Sequence, residues 1–150
     1  MASIRALLVS AIGDDNATLS YQFGWPRQFA AHRDFECTSL NVIDRRWHSR
    51  GRQSLAVRRW RGDVIVLLHS VFSNACALTP VVFDAIRRRP EPKVFFIGNE
   101  YKFMPEKMRF CDELGIAMLV TQTANPQVHE LYRRRLGCTV MSLPNTGLDP

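Results

Sequence analysis

The sequence predicts an α/β domain built on a doubly wound parallel sheet of about six strands. Short apolar segments rich in Val, Ile, Leu and Phe alternate along the chain with segments of helical periodicity. Several apolar segments are continuous, which is typical of strands buried on both faces of a parallel sheet. Strand–helix alternation implies right-handed crossovers, and therefore a three-layer, Rossmann-like arrangement.

The predicted strands are the short apolar segments. In chain order they comprise residues 4–10, 35–43, 63–70, 93–99, 116–122 and 139–143.

The predicted helices are marked by residues that favour helix ends. Thr79 and Asn125 each precede a proline, which suits the capping position before a helix. Gly115 and Gly137 follow the later two helical stretches, where a left-handed residue ends a helix. These signals predict three helices: one that begins after residue 79, one that begins at Pro105 and ends at residue 115, and one that begins after residue 125 and ends at residue 137.

Composition restricts the class of protein. The 150 residues suffice for one domain with a single core, and no run approaches the roughly 18 apolar residues of a membrane span. The four cysteines are scattered, with no CxxC pair and no histidine at metal-ligand spacing. We therefore expect reduced cysteines, no metal site and a cytoplasmic protein.

The first candidate site follows the first strand, because ligands of doubly wound sheets gather at the carboxyl ends of strands. Gly13, Asp14 and Asp15 stand there. One glycine followed by two carboxylates is a poor phosphate cradle, and the chain contains neither a GxGxxG nor a GxxxxGK[ST] motif. The residues after the first strand therefore do not predict a phosphate-binding loop.

The second candidate site is His69 with Ser70, at the end of the third predicted strand. An imidazole at that position can exchange a proton or bind a sugar hydroxyl. The alternative is a histidine that serves only main-chain groups at the strand end. The residues themselves do not decide between the two.

The third candidate site is the polar cluster after the fourth predicted strand. Asn99 and Glu100 offer the donors and acceptors that carbohydrate hydroxyls require, Tyr101 offers a stacking face, and Lys102 offers a positive charge. The alternative is a polar loop that caps the following helix. Its position at a strand's carboxyl end favours a binding function.

A basic segment, residues 45–61, begins at Arg45, ends at Arg61 and contains Trp47 and Trp60. It holds much of the excess behind the net charge of +6. One interpretation is a linker and short helix in which Leu55, Val57 and Trp60 dock on the sheet. The others are an anionic membrane surface or, less favoured, nucleic acid; no specific nucleic-acid motif accompanies the segment.

Three stretches resemble the N-terminal half of GT-B glycosyltransferases of the group-1 family. Residues 62–88 resemble a strand ending in His followed by a long helix, and residues 92–116 a strand ending in a polar loop. Residues 128–150 resemble the helix, strand and "PNGvD"-like turn between the two domains. Thr146 before Gly147 and the missing Gly-rich loop after the first strand depart from that pattern.

The resemblance implies sugar transfer from a nucleotide-sugar donor, without a metal, to a carbohydrate or glycolipid acceptor. It implies an acceptor-side domain over residues 1–143, an interdomain linker from 144 to 150, and a donor-binding C-terminal domain outside this sequence. His69 and Glu100 would be catalytic. The acceptor would contact Gly13, Asp14, Asp15, Ser70, Asn99, Tyr101 and Lys102. The alternative is a stand-alone binding module, and either protein would lie in the cytoplasm, in contact with the inner membrane face if the basic segment binds lipid.

Overall fold

The computed structural model describes residues 3–13, 20–43 and 50–143, with the main chain alone for residues 20–23 and 50. The strands are β1 (Ile4–Ser10), β2 (Phe35–Asn41), β3 (Val64–Leu67), β4 (Lys93–Phe96), β5 (Ile116–Thr121) and β6 (Thr139–Ser142). The helices are α1 (Ser20–Ala31), α2 (Arg50–Arg59), α3 (Pro80–Arg87), α4 (Met104–Leu114) and α5 (Pro126–Leu136).

The six strands form one sheet in the order β2-β1-β3-β4-β5-β6, and every pair is parallel. The predicted doubly wound parallel sheet is therefore confirmed. The chain moves outward from β1 to β2, returns past β1 to β3, and then continues in one direction. This reversal places the topological switch point between β1 and β3, where such sheets leave a crevice at the carboxyl ends of the strands.

Apolar side chains cover both faces of the sheet. On one face, Phe95 and Leu119 are fully buried under α2 to α5, and Phe95 lies 5.2 Å from the ring of Phe110. On the other face, Phe96 packs under α1, with its ring 4.9 Å from that of Trp25. Burial of one such aromatic side chain contributes about 1.5–3 kcal/mol. The two clusters make the sheet the middle layer of three.

The helix-end signals are confirmed in position. Gly115 and Gly137 end α4 and α5 with left-handed φ angles of 65° and 64°. The Asn125 side chain accepts a hydrogen bond from the Gln127 amide at 2.9 Å, which caps α5. Thr79 occupies the capping position of α3 but makes no side-chain capping bond. Main-chain geometry and Pro80 therefore start α3 without help from the threonine hydroxyl.

The structure corrects several predicted boundaries and contacts. Every strand after the first ends one to three residues early, and α1 occupies a stretch for which no helix was predicted. Leu55 is 45% exposed, although it was expected to dock on the sheet, because Val57 faces the core and residues two apart on a helix face different sides. The spacing of Val128, Leu131, Tyr132 and Leu136 predicts one apolar face for α5. Leu131 is instead 64% exposed beside the buried Tyr132.

None of the described helices combines the length and the apolar character that crossing a bilayer would demand.

Candidate functional site

The carboxyl edge of the sheet, meaning the loops that follow β1, β3, β4 and β5, holds those predicted site residues that the structure describes. The loop after β3 is tied to β1 across the switch point, since the buried Ser70 hydroxyl accepts a hydrogen bond from the Ala11 amide at 3.0 Å. Ser70 lies where the sequence places it, but its hydroxyl serves the main chain. It therefore shapes the crevice floor.

The loop after β1 is also tied to the end of β2. Asn41 accepts from the Ile12 amide at 3.1 Å and donates to the Ile12 carbonyl at 2.7 Å. Gly13 follows, half-buried, with the Ile43 side chain 3.3 Å from where its Cβ would stand. Asp14 and Asp15 lie outside the described residues. Asn41 was not predicted as a site residue. The feature that could have indicated it is a polar residue at the end of the second strand.

His69 is 9% exposed and lies in a short 3-10 turn directly after β3. It packs against Gly98, where a Cβ would stand 3.1 Å from the His69 Cβ and 3.2 Å from its Cδ2. Burial, and secondly the charge of Lys107, lowers the pKa of His69 to about 4. The imidazole is therefore neutral at pH 7, with a nitrogen lone pair that can accept a hydrogen bond.

Lys107, on α4, is fully buried and was not predicted as a site residue. Its Nζ donates to the Gly98 carbonyl at 2.6 Å and to the Asn99 carbonyl at 3.0 Å. Burial lowers the pKa of Lys107, and the Glu100 charge opposes that shift. Its signal in the sequence was a lysine in phase with the apolar stripe that includes Cys111 and Leu114.

Glu100 is held by three donors from two other elements. Its Oε1 accepts from the Thr121 hydroxyl at 2.6 Å and the Gln122 amide at 3.1 Å. Its Oε2 accepts from the Tyr132 hydroxyl at 2.6 Å. Burial and then this bond raise the pKa of Tyr132, so that the phenol stays a donor. Glu100 thus fastens the loop after β4 to β5 and α5.

The other residues of the predicted cluster have different surroundings. Asn99 adopts a left-handed φ of 49°, and its Nδ2 donates to the Ser73 hydroxyl at 3.1 Å, which joins the loops after β3 and β4. Tyr101 is 78% exposed, and the Lys102 ammonium lies 5.5 Å from its ring centre. These last two residues form an exposed rim.

His69 and Glu100 are related through Lys107. The Lys107 charge acts on His69, and the Glu100 charge acts on Lys107. The Glu100 carboxylate is directed to α5, whereas His69 rests on Gly98. The loop after β4 thus supplies contacts on both sides of its backbone.

A cleft of about 630 Å³ opens between α4 and α5. Glu100 contributes to its lining, so the cleft begins at the loop after β4. The remaining lining is mostly apolar and comprises Met104, Pro105, Met108, Val128, Leu131 and Tyr132, with Arg109 and Arg135 also present. Arg135 pairs with Asp112 at 2.6 Å.

The basic segment begins outside the described residues, which include nothing of Arg45 or Trp47. In its second half, Val57 is buried and Trp60 is half-buried, with the Arg89 guanidinium 5.9 Å from the Trp60 ring centre. That tryptophan packs as the linker interpretation expects. Arg58 and Arg59, at the end of α2, are exposed.

No group of three metal-ligating side chains forms within residues 3–13, 20–43 and 50–143. All four cysteines are free thiols, as expected.

No protein-family model matches the chain, and neither a curated protein nor a solved structure gives a significant match. The family resemblance of residues 62–150 therefore stays a prediction.

Proposed function

We propose that this domain binds the acceptor in a glycosyl transfer from a nucleotide-sugar donor, as the acceptor-side half of a two-domain glycosyltransferase. The observation that carries the proposal is the neutral, buried imidazole of His69 at the carboxyl edge, beside the switch point. A neutral imidazole accepts a hydrogen bond from an acceptor hydroxyl. The neighbouring Asn99 amide adds both a donor and an acceptor, as hydroxyl-rich ligands require.

The low pKa of His69 favours a role in orienting the acceptor over a role as general base. An imidazole whose pKa is about 4 is a weak base at neutral pH, because efficient general bases have pKa values near the working pH. We infer that His69 orients the acceptor hydroxyl and does not remove its proton early in the reaction. Glu100, held by three donors, would fix the wall of the site. The proposal assigns the donor nucleotide to a second domain and requires no metal.

Binding of carbohydrates by the chain tests this proposal. Amide resonances would be followed by NMR while oligosaccharides and glycolipid headgroups are titrated into the protein. We expect shifts at Ser70, Gly98 and Asn99. His69→Gln should weaken binding about tenfold, the effect of one lost hydrogen bond in a buried site. Gly98→Ala should weaken binding too, because the new methyl displaces His69 without changing its chemistry.

Arg59→Ala, on the exposed end of α2, is the control and should bind as the unsubstituted protein does. The proposal fails if no carbohydrate binds, or if binding shifts only resonances away from the carboxyl edge.

The proposal includes a second partner, an anionic membrane surface at the inner face of the membrane. Its support is the end of α2, where Arg58 and Arg59 are exposed. Within the described part of the chain their side chains form no ion pair, whereas Arg87 and Arg88 share Asp84 at 2.7 and 2.6 Å. Trp60 is packed against the core, so the contact would depend on charge and not on insertion of that ring.

A further inference from the structure

A left-handed bend shapes the loop after β4. Asn99 and Phe103 have φ angles of 49° and 55°, in a region that residues other than glycine seldom adopt. Such conformations persist only where surrounding contacts impose them. The loop therefore needs an anchor, and its side chains at the crevice depend on that anchor.

The Lys107 ammonium supplies two contacts to the carbonyls of this bend. It donates to Gly98 at 2.6 Å and to Asn99 at 3.0 Å, and the Asn99 carbonyl also accepts from the Lys102 amide at 2.9 Å. The lysine side chain is 0% exposed, so water does not compete for these carbonyls. A buried ammonium is costly unless it is hydrogen-bonded, which ties its position to the bend.

The bend in turn determines what reaches the crevice. Gly98 lies against His69, and a Cβ at Gly98 would stand 3.2 Å from the imidazole Cδ2. The Asn99 side chain donates to the Ser73 hydroxyl at 3.1 Å. Movement of either carbonyl would shift both contacts. Because Lys107 is buried and bonds to these two carbonyls, it acts on the crevice through the loop.

We propose that Lys107 is the positioning residue of the candidate site, whose buried ammonium holds the bend that sets Gly98 against His69 and Asn99 against Ser73. Its relevance to acceptor binding rests on the proposed function, whereas its control of the loop does not. The Lys107 charge, on α4, also lowers the pKa of His69. The Glu100 charge, on the loop after β4, acts on Lys107 and opposes the lowering of its pKa by burial. Lys107 thus acts on both the placement and the protonation of the imidazole.

A second buried lysine, at the amino edge of the sheet, provides a matched control for Lys107. Lys93, at the start of β4, is 5% exposed and donates to the carbonyls of Arg89 at 2.8 Å and Glu91 at 3.5 Å. Lys107→Met and Lys93→Met therefore remove the same chemistry from opposite edges of one sheet. Methionine keeps an unbranched apolar stem and removes the charge and the donors. A merely structural role predicts the same result for both substitutions.

The test follows the His69 imidazole and the loop amides by NMR across pH, in the full chain. His69→Gln identifies the His69 signal. In Lys107→Met we expect the pKa of His69 to rise from about 4 by part of its shift, because burial, the larger cause, remains, and we expect the amides of residues 98–100 to shift. Lys93→Met should leave both unchanged. Unchanged values in Lys107→Met, or equal changes in the two variants, would overturn the proposal.

Two further measurements separate the possible failures. If Lys107→Met does not fold, the unsubstituted protein decides, since the Lys107 ammonium should exchange slowly and give nuclear Overhauser contacts to residues 98 and 99. Rapid exchange without those contacts overturns the proposal. Carbohydrate affinity should fall about tenfold in Lys107→Met. If the loop responds but the unsubstituted protein binds no carbohydrate, the proposed function fails and the positioning role stands.

Discussion

Single side chains at the carboxyl edge work mainly through the main chain. Ser70 and Asn41 bond to residues 11 and 12, and Lys107 bonds to residues 98 and 99. These polar groups therefore fix the loops of the edge. His69 packs against one of these loops at Gly98, and burial lowers its pKa to about 4.

The pKa of His69 predicts how stability depends on pH. In the unfolded chain the imidazole titrates near 6.5, and in the folded protein near 4. The unfolded state therefore binds a proton first as pH falls. The neutral state of His69 contributes about 3 kcal/mol to the free energy of unfolding. This contribution is fully present above pH 6.5 and is lost progressively as the pH falls to about 4.

We expect His69→Gln to remove this component of the pH dependence. Urea unfolding at a series of pH values between 4 and 7 would measure it as the free energy of unfolding. Equal slopes for the two proteins would show that His69 does not have the lowered pKa.

Between elements, Glu100 is the main polar connection of the loop after β4. It joins that loop to β5 through Thr121 and to α5 through Tyr132. The same carboxylate lines the cleft between α4 and α5. We therefore expect a change in the packing of α5 to displace the loop that carries Asn99.

Removal of the Tyr132 hydroxyl should loosen this connection. Tyr132→Phe leaves one oxygen of a half-buried carboxylate without its phenol donor, and we expect a loss of about 1.5–3 kcal/mol in the free energy of unfolding. Tyr101→Phe removes a hydroxyl from a residue that is 78% exposed and should change stability by less than about 0.5 kcal/mol. Denaturant unfolding of both variants provides the measurement, and equal losses would contradict the role of Glu100 as a connection.

The sequence predicts those helices and strands that have a clear local pattern of apolar residues. Short apolar segments, several of them continuous, placed all six strands, and glycines at residues 115 and 137 marked two helix ends, because these features depend on local chemistry. Strand ends were misplaced where apolar residues continue past the last ladder bond, as at Leu68. The turn that carries His69 depends on contacts with distant residues, which a local pattern does not contain.

The candidate site was predictable in position and only partly in composition. Polar residues after the third and fourth strands were found, since topology brings strand ends together. Lys107 was not predicted as a site residue. A lysine on a helix is expected to be solvated unless its two carbonyl partners are known. The direction of Glu100 toward α5 likewise depends on Tyr132, 32 residues further along the chain.

At the scale of the molecule, arginines among the described residues gather at one edge of the sheet. Helices that connect parallel strands run opposite to them, so the final turns of α2, α3 and α5 lie at the amino edge. Those turns carry Arg58, Arg59 and Arg87 and the run of residues 133–135. The candidate site lies at the other edge, where His69 is neutral and Glu100 is bonded. Contact with an anionic surface would therefore leave the carboxyl edge accessible to an acceptor.

This separation predicts different salt dependence at the two edges. Binding to anionic phospholipid vesicles should weaken steeply as salt rises, while carbohydrate binding should change little. Arg58→Ser together with Arg59→Ser should weaken vesicle binding about 30-fold, at roughly 1 kcal/mol for each arginine. Arg87→Ser together with Arg88→Ser removes the same formal charge, yet these side chains already share Asp84, so a smaller loss is expected. Co-sedimentation with vesicles measures all three proteins, and equal losses in the two double variants would mean that net charge, and not the end of α2, governs binding.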